Sequence, residues 1–477
     1  MLQKERVGKE IQPPIFKQGK EKKTFSYWVK KNWYYHQRLQ NLYQFIIPKG
    51  ARVLQVGCNN GYLLAAVEPS YGVGVDGDHK AIEIAQQTFA HLHFIAGNIS
   101  EIKITEPFDY IILSSIIMET YDIQDFLQSL HRLCGPHTRL IVDTYSYLWE
   151  PVLWLTQKFG LRRPTEFKNW IAQRDLKNFL HLAGFEIVTQ GSQTILPVYI
   201  PFFSALCNTF LAQLPIISSF NLTQWLIARP QSHAYNPQSV MVSVIIPCKN
   251  ERGNIESAIQ RCPELGAHTQ FIFVDGNSSD GTFAEMQRIQ EKYADKDISC
   301  FVQKGAGKAA AVHQACAQAQ GDIIMIQDGD LTAPPEELPK FFYALIRGSG
   351  EFINGSRLVY GMDPGEMRFL GLLANHFFSW LFSWILGQPL KDTLCGTKVF
   401  WKKDYEAMCA HRSYFGEFDP FGDFDLLFGA AKLNRKIVDM PVHYKKRQYG
   451  HTQIQKFKCL WLLLGMSLIG IRKFKFR

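Results

Sequence analysis

A chain of 477 residues exceeds what one hydrophobic core ordinarily serves, so two or three domains are expected, and 46% hydrophobic with 20% charged content excludes a disordered polymer. Ten cysteines with no CxxC pair give no support to a disulfide framework or a Cys-rich zinc site, and suit a reducing compartment. The net charge of +9 is uneven: Lys432 to Arg477 holds 12 Lys/Arg against one acid, Asp439, which narrows the partners to nucleic acid, anionic lipid or an anionic substrate.

The start, MLQKERVGKE, has no apolar h-region and does not read as a secretory signal. The first patterned stretch is ARVLQVGCNNGYLLAAVEPSYGVGVD, residues 51–76. A short strand meets a Gly/Asn turn, then a helix-like run, then a second strand ending in Asp76. Gly57 and Gly61 let a ligand approach the backbone, and an acid about twenty residues beyond such a turn is placed for ribose hydroxyls. The spacing is GxxxG rather than GxGxxG, which argues against a nicotinamide site. A bland turn rich in Gly and Asn is the alternative. HFIAGNI, FDYIILSSI and LCGPHTRLIVD continue the strand and helix alternation, which implies a parallel sheet with its ligand at the strands' C-terminal edge.

VLQVGCNNGYLL, VGVD, AGNI, FDYII and the LCGP turn resemble a class I S-adenosylmethionine-dependent methyltransferase over roughly residues 30–200. The resemblance implies a Rossmann-like fold. It implies that Gly57, Asn59 and Gly61 hold the methionine moiety of S-adenosylmethionine, Asp76 the ribose and Asn98 the adenine. The family usually has Gly where Asn59 stands and Asp where Asn98 stands. No general base for methyl transfer stands out; His131, His137 and His181 are the available histidines, each with a core or surface role as alternative.

Between Glu186 and Arg229 no residue is charged, and residues 201–240 read as an apolar inter-domain region. The pattern restarts near Met241 with VSVIIPCKNERGNIESAI, then QFIFVDGNSSDGTFAEM, then GDIIMIQDGD, three strands that each end near an acid. Asp328 and Asp330 sit one residue apart at the third strand end, where two carboxylates can converge on one cation. Oxygen ligands without Cys or His favour Mg²⁺ or Mn²⁺. Solvated strand-end acids are the bland alternative, countered by Asp275 on a neighbouring strand and by Lys304 and Lys308 in QKGAGKAAAVHQA.

Seven ordered stretches, from VIIPCKNERGNI through IFVDGNSSDGT, GAGKAAAV, QDGDLTAPPEE, FINGSRLVYG and LKDTLCGTKVFWKKDY to MPVHYKKRQYG, resemble family 2 glycosyltransferases of the GT-A fold. Their order is similar to that in dolichyl-phosphate mannosyltransferase-like and undecaprenyl-phosphate sugar transferases. The expected domain runs over 241–451, with a basic amphipathic tail at 452–477. By this resemblance Pro247, Glu251, Asp275 and Lys308 form the nucleotide-sugar pocket, for a UDP- or GDP-linked donor, and Asp328 and Asp330 hold the metal. Arg357, Arg368, Asp392, Lys398, Lys445 and Arg447 gather around the phosphates of donor and acceptor. Gly276 stands where many relatives have a second Asp, Thr332 where mannosyltransferases often have Gln, and Cys395 where Ser is common.

The expected fold class is thus α/β, with two doubly wound sheet domains and apolar interface helices on the second. The acceptor expected from the resemblance is a polyprenyl phosphate. Phe369–Leu390 is uncharged, and KFKCLWLLLGMSLIGIRKFKFR is too short in its apolar part to span a bilayer but suits a headgroup surface. Attachment at the cytoplasmic face of a membrane follows, without nucleic acid; a buried helical hairpin, a true span and a cytoplasmic protein are the alternatives. A methyltransferase that uses the second domain only to bind a substrate is a rival reading, and a non-enzymatic membrane scaffold is another.

Overall fold

The computed structural model describes residues 25–99, 104, 106–165, 169–231, 234–361, 369–414, 422–450 and 456–476. Arg368 lies outside them, as does the junction between the expected second domain and the tail.

The first sheet has seven strands: β1 (Arg52–Val56), β2 (Tyr71–Asp76), β3 (His93–Ala96), β4 (Phe108–Ser114), β5 (Cys134–Tyr145), β6 (Phe185–Gln193) and β7 (Thr223–Pro230), in the order β3-β2-β1-β4-β5-β7-β6. The first five are mutually parallel, and β7 runs antiparallel between β5 and β6. Parallel strands are covered on both faces. Alternate residues accordingly feed two cores: Leu54, Val73 and Ile111 point to one, Val53, Tyr110 and Ile112 to the other. The sheet runs past the expected limit at residue 200. Thr223–Pro230 carries the buried run Leu226, Ile227 and Ala228, and so completes the sheet instead of linking two domains.

The second sheet comprises β8 (Met241–Cys248), β9 (His268–Asp275), β10 (Asp297–Val302), β11 (Ile323–Ile326), β12 (Phe352–Ser356), β13 (Lys398–Trp401) and β14 (Ile437–Pro441), in the order β10-β9-β8-β11-β13-β12-β14. Four parallel strands are followed by β13, antiparallel to both of its neighbours. Alternation again splits β8, with Val242, Val244 and Ile246 on one face and Ile245 on the other. The helix Phe369–Leu386 packs Phe378, Phe382 and Ile385 onto the second face. The tail forms a helix, Lys456–Gly470, against it; a Cβ at Gly470 would meet Ile385 at 3.0 Å. No helix among the described residues is long and apolar enough to cross a membrane.

The two sheets meet at their strand beginnings. Arg139 on β5 donates to Asn434 O at 2.7 Å and pairs with Glu351, which immediately precedes β12. Glu186 binds both Arg229 of β7 and Lys436, the residue before β14. The C-terminal edges of the two parallel layers therefore face opposite ends of the molecule.

Candidate active sites

At the first C-terminal edge, the turn after β1 is built from left-handed residues: Gly57 (φ 74°), Asn59 (φ 47°) and Gly61 (φ 76°). A Cβ at Gly61 would come within 2.5 Å of the Phe94 ring, so only glycine fits there. Asn tolerates this region better than other side chains, which explains its place in the turn. Asp76 accepts the Asn59 N–H at 2.7 Å and the Asp78 N–H at 2.9 Å, and so locks the turn to the end of β2. Asn98 is exposed just past β3, whose end is tied to β2 by Gly97 N–H donating to Asp76 O at 3.0 Å. Gly57, Asn59, Gly61 and Asp76 therefore share one edge, and Asn98 lies on the adjoining loop. A carboxylate beside a glycine turn fits a nucleoside's hydroxyls.

Four contacts at this edge escape sequence reasoning. Arg163 donates to Asn59 Oδ1 at 3.0 Å from 104 positions away. Asn60 Nδ2 donates to Ser26 Oγ at 2.9 Å, which brings the first described helix onto the turn. Tyr43 donates to Asp143 Oδ1 at 2.5 Å and Ser115 to Oδ2 at 3.2 Å. Burial raises the Asp143 carboxyl although these hydroxyls stabilise its anion. The histidines lie elsewhere: His131 stacks on Phe185, with ring centroids 4.2 Å apart, His137 joins the domain interface beside Lys403, and His181 is on an exposed helical face.

The second C-terminal edge gathers the acids. The loops after β8 and β9 are sewn together: Asn250 N–H donates to Ser278 Oγ at 2.8 Å, its Oδ1 accepts Ser279 N–H at 2.9 Å, and Glu251 N–H donates to Thr282 Oγ1 at 3.0 Å. Pro247 forms the floor; a Cβ at Gly329 would approach its carbonyl oxygen to 2.9 Å. Asp275 is buried and accepts Ser278 N–H at 3.1 Å through Oδ2, while its Oδ1 is buried with no hydrogen-bond partner among the described residues. Buried polar atoms normally find partners, so this oxygen marks a position for a ligand donor.

Asp328 and Asp330 follow β11 in a turn with Leu331 at φ 54°, an uncommon conformation for a branched residue. Thr332 stabilises it by donating its N–H and hydroxyl to Asp330 Oδ1, at 3.1 and 2.9 Å. Lys308 Nζ lies 2.5 Å from Asp328 Oδ1. Burial would raise the Asp328 carboxyl, but Lys308, with Lys398 and Arg357 further off, holds it below the ordinary value. Arg447 bridges Asp330 and Glu251, the latter at 2.7 Å. Lys445 is exposed, and its N–H donates to Thr332 O at 2.9 Å, fastening the segment after β14 to the acid turn. The donor set is oxygen-rich, as Mg²⁺ or Mn²⁺ requires. Among the described residues no cluster of three or more His, Cys, Asp or Glu could hold a metal ion, so the two acids would leave most of a cation's shell to water and ligand.

Arg357 is clamped by Asp392 at 2.7 and 2.9 Å and lies over the Tyr444 ring. Lys398 is fully buried, 2.9 Å from Asp423, and donates to Cys395 O; it acts on the site through its field instead of facing it. Two C-terminal strand edges, one built on a glycine turn beside Asp76 and one gathering acids and cations, are thus the candidate sites of a two-domain chain.

The family model "Glycosyl transferase family 2" matches residues 243–407, and "Methyltransferase domain" matches 32–190. The chain is 38% identical over 220 residues to a dolichol-phosphate mannosyltransferase of Pyrococcus furiosus, covering 45% of this chain and 59% of that protein. It is 22% identical to an undecaprenyl-phosphate 4-deoxy-4-formamido-L-arabinose transferase of Edwardsiella ictaluri, covering 47% and 66%. A solved S-adenosylmethionine-dependent methyltransferase from Mesorhizobium loti is 15% identical, with TM-score 0.31, over 40% of this chain and 96% of that one. The chain spans about two thirds or less of the length of these two transferases. It carries a family 2 glycosyltransferase domain fused to a class I S-adenosylmethionine-dependent methyltransferase-like domain.

Proposed function

We propose that the second domain transfers a sugar from a UDP- or GDP-linked donor to a polyprenyl phosphate, by one inverting displacement at a membrane surface. The observation that carries this reading is the convergence of Asp275, Asp328 and Asp330 with Lys308 and Arg447 at one strand edge, with Arg357 anchored nearby. Asp328 and Asp330 would hold Mg²⁺ or Mn²⁺, which when bound neutralises charge on the diphosphate leaving group. Glu251, Asp275 and the Pro247 floor would receive the nucleoside. An acceptor phosphate is already anionic and needs no base; it needs alignment and charge compensation. Arg357, Lys445 and Arg447 supply these, with Asp392 fixing the Arg357 fork, and Arg368 is proposed for the same task. The uncharged Phe369–Leu386 helix and the basic tail suit an acceptor whose lipid chain stays in a bilayer, at its cytoplasmic face.

For the first domain the proposed ligand is S-adenosylmethionine, with Gly57, Asn59 and Gly61 around the methionine, Asp76 on the ribose and Asn98 near the adenine. The locked Asp76–Asn59 contact favours this reading.

The test is transfer itself. Purified protein in detergent, with undecaprenyl or dolichyl phosphate, Mg²⁺ or Mn²⁺ and a panel of radiolabelled UDP- and GDP-sugars, should release nucleoside diphosphate and form a lipid-phosphate sugar. Transfer to water, protein or soluble sugar alone would refute the polyprenyl-phosphate acceptor.

A further inference from the structure

The sequence directs attention to Phe369–Leu390 and the tail, but the larger apolar surface belongs to the methyltransferase-like domain. We infer that residues 147–161 and 198–220 of that domain form, together with the two helices of the second, one continuous face that docks on an anionic phospholipid bilayer. The inference rests on the membrane reading above and extends it to the domain that family resemblance would leave in solution.

Three contacts establish continuity. Trp149, near the start of the first segment, donates its indole N–H to Phe220 O at 2.8 Å. The Phe210 ring lies 5.0 Å from Phe476 of the tail. Trp384 of the Phe369–Leu386 helix donates to Gln213 O at 3.1 Å. The outward side chains are large and apolar: Phe202 is 94% exposed, Ile216 82% and Trp461 74%, with Trp154, Phe377 and Leu468 also exposed. Isolated apolar residues on a surface mean nothing, but a contiguous patch of this kind marks an interaction site.

Charge selects the occupant. No charged residue lies between Glu186 and Arg229, and the 147–161 segment holds one acid, Glu150, against Lys158, with Arg163 just beyond it and Arg472, Lys473 and Lys475 at the end of the tail. Apolar and aromatic side chains between basic rims match an interface of acyl chains below anionic headgroups. The geometry adds a consequence. Tyr145 at the end of β5 pairs with Thr223, so the segment before β7 emerges at the same sheet edge as the cofactor turn. Arg163, just past the 147–161 stretch, bonds Asn59 of that turn. The turn consequently opens beside lipid, which suits a methyl acceptor carried on an amphiphile.

The test uses the full chain. It should co-sediment with phosphatidylglycerol vesicles more strongly than with phosphatidylcholine vesicles, and less so as salt rises. The double variant Phe202→Glu/Ile216→Glu should lose about tenfold or more of that partitioning, since two fully apolar burials are removed, with an unchanged far-UV circular dichroism spectrum. Undiminished partitioning of a folded variant would overturn the docking face while leaving sugar transfer untouched. Wild-type partitioning without any lipid-phosphate product would do the reverse. A wild-type dimer that fails to bind vesicles and becomes monomeric on substitution would assign the face to a second copy of this chain. Should the double variant not fold, Ile216→Cys with a spin label, in a Cys409→Ser/Cys459→Ser background, gives the same answer. The label should become shielded from an aqueous nickel chelate on adding phosphatidylglycerol vesicles; unchanged accessibility overturns the inference.

Discussion

Arg139 of the first sheet and Glu351 of the second share two charge-assisted hydrogen bonds, 2.7 and 2.6 Å long, and neither side chain is more than 5% exposed. Glu351 also has Arg229 at 3.4 Å and Arg435 at 3.6 Å, so one carboxylate faces three guanidinium groups. Burial by itself would raise its proton affinity; Arg139, then His137, Arg435 and Arg229, hold it well below the carboxylate range. Such a network fixes the orientation of the two domains and sets their sites back to back, so a product cannot pass directly from one strand edge to the other.

Glu351→Ala should therefore destabilise the protein by about 3–5 kcal/mol, because breaking a buried pair strands the remaining charges. The wild type should unfold in one transition in urea, and the variant in two as the domains uncouple. The pH sign follows from the depressed value: stability from Glu351 is present above the ordinary carboxylate pKa and is lost only as pH falls through the folded value. A variant with wild-type midpoints at pH 7 would show that the network contributes specificity alone.

Asp76→Ala should weaken S-adenosylmethionine binding to the full chain roughly 10- to 150-fold in titration calorimetry, since hydrogen bonds to a charged acceptor are each worth about 1.5–3 kcal/mol. Part of the loss would come through Asn59, whose N–H loses its 2.7 Å acceptor and with it the turn's conformation. Equal affinities would remove Asp76 from the ribose role.

Gly396→Ala probes the acid pair from its far side. A Cβ there would lie 2.1 Å from Asp328 Oδ2 and 2.3 Å from its Oδ1. Asp328 must shift, and displacement of about 1 Å at such a centre costs on the order of 100-fold in rate. Sugar transfer should fall by that amount with little change in thermal midpoint. Full activity would mean that the position of Asp328 is not critical to the chemistry. Asp328→Asn should in parallel lose divalent-cation-dependent nucleoside diphosphate binding.

Strand ends that carry Asp76, Asp275 and Asp328 were legible because each belongs to a local βα unit whose apolar run and turn residues lie within a dozen positions. Lys308 was legible for the same reason, as it opens the helix Gly307–Gln318. Contacts closed by distant segments were not. Arg447 bridges Glu251 and Asp330 across 196 and 117 positions, and Arg163 reaches Asn59 across 104. Lys398 reads as a free cation in DTLCGTK, yet Asp423 neutralises it in the core. Thr223–Pro230 read as a linker because nothing within the segment announces an antiparallel strand inserted between two earlier ones.

Glu251 offers the final test, because its charge state falls within an accessible range. Burial raises its carboxyl to about 7, against the stabilising Arg447 and Asn254 and with Asp330 adding to the rise. Below pH 7 the carboxyl is protonated and the pocket loses one negative charge; above pH 7 it is anionic and repels a diphosphate. Glu251→Gln mimics the protonated form at every pH. Nucleoside diphosphate affinity at fixed Mg²⁺ should therefore match between wild type and variant near pH 6. Near pH 8 the wild type should bind roughly tenfold more weakly, equivalent to about 1.4 kcal/mol. Taking the ratio of the two proteins cancels the titration of the nucleotide's own phosphate. Glu251 also holds Arg447 at 2.7 Å, so neutralising it both removes repulsion and frees that cation toward the diphosphate, and the two effects raise the variant's affinity at pH 8 in the same direction. A ratio that stays constant from pH 6 to 8 would take Glu251 out of the nucleotide pocket.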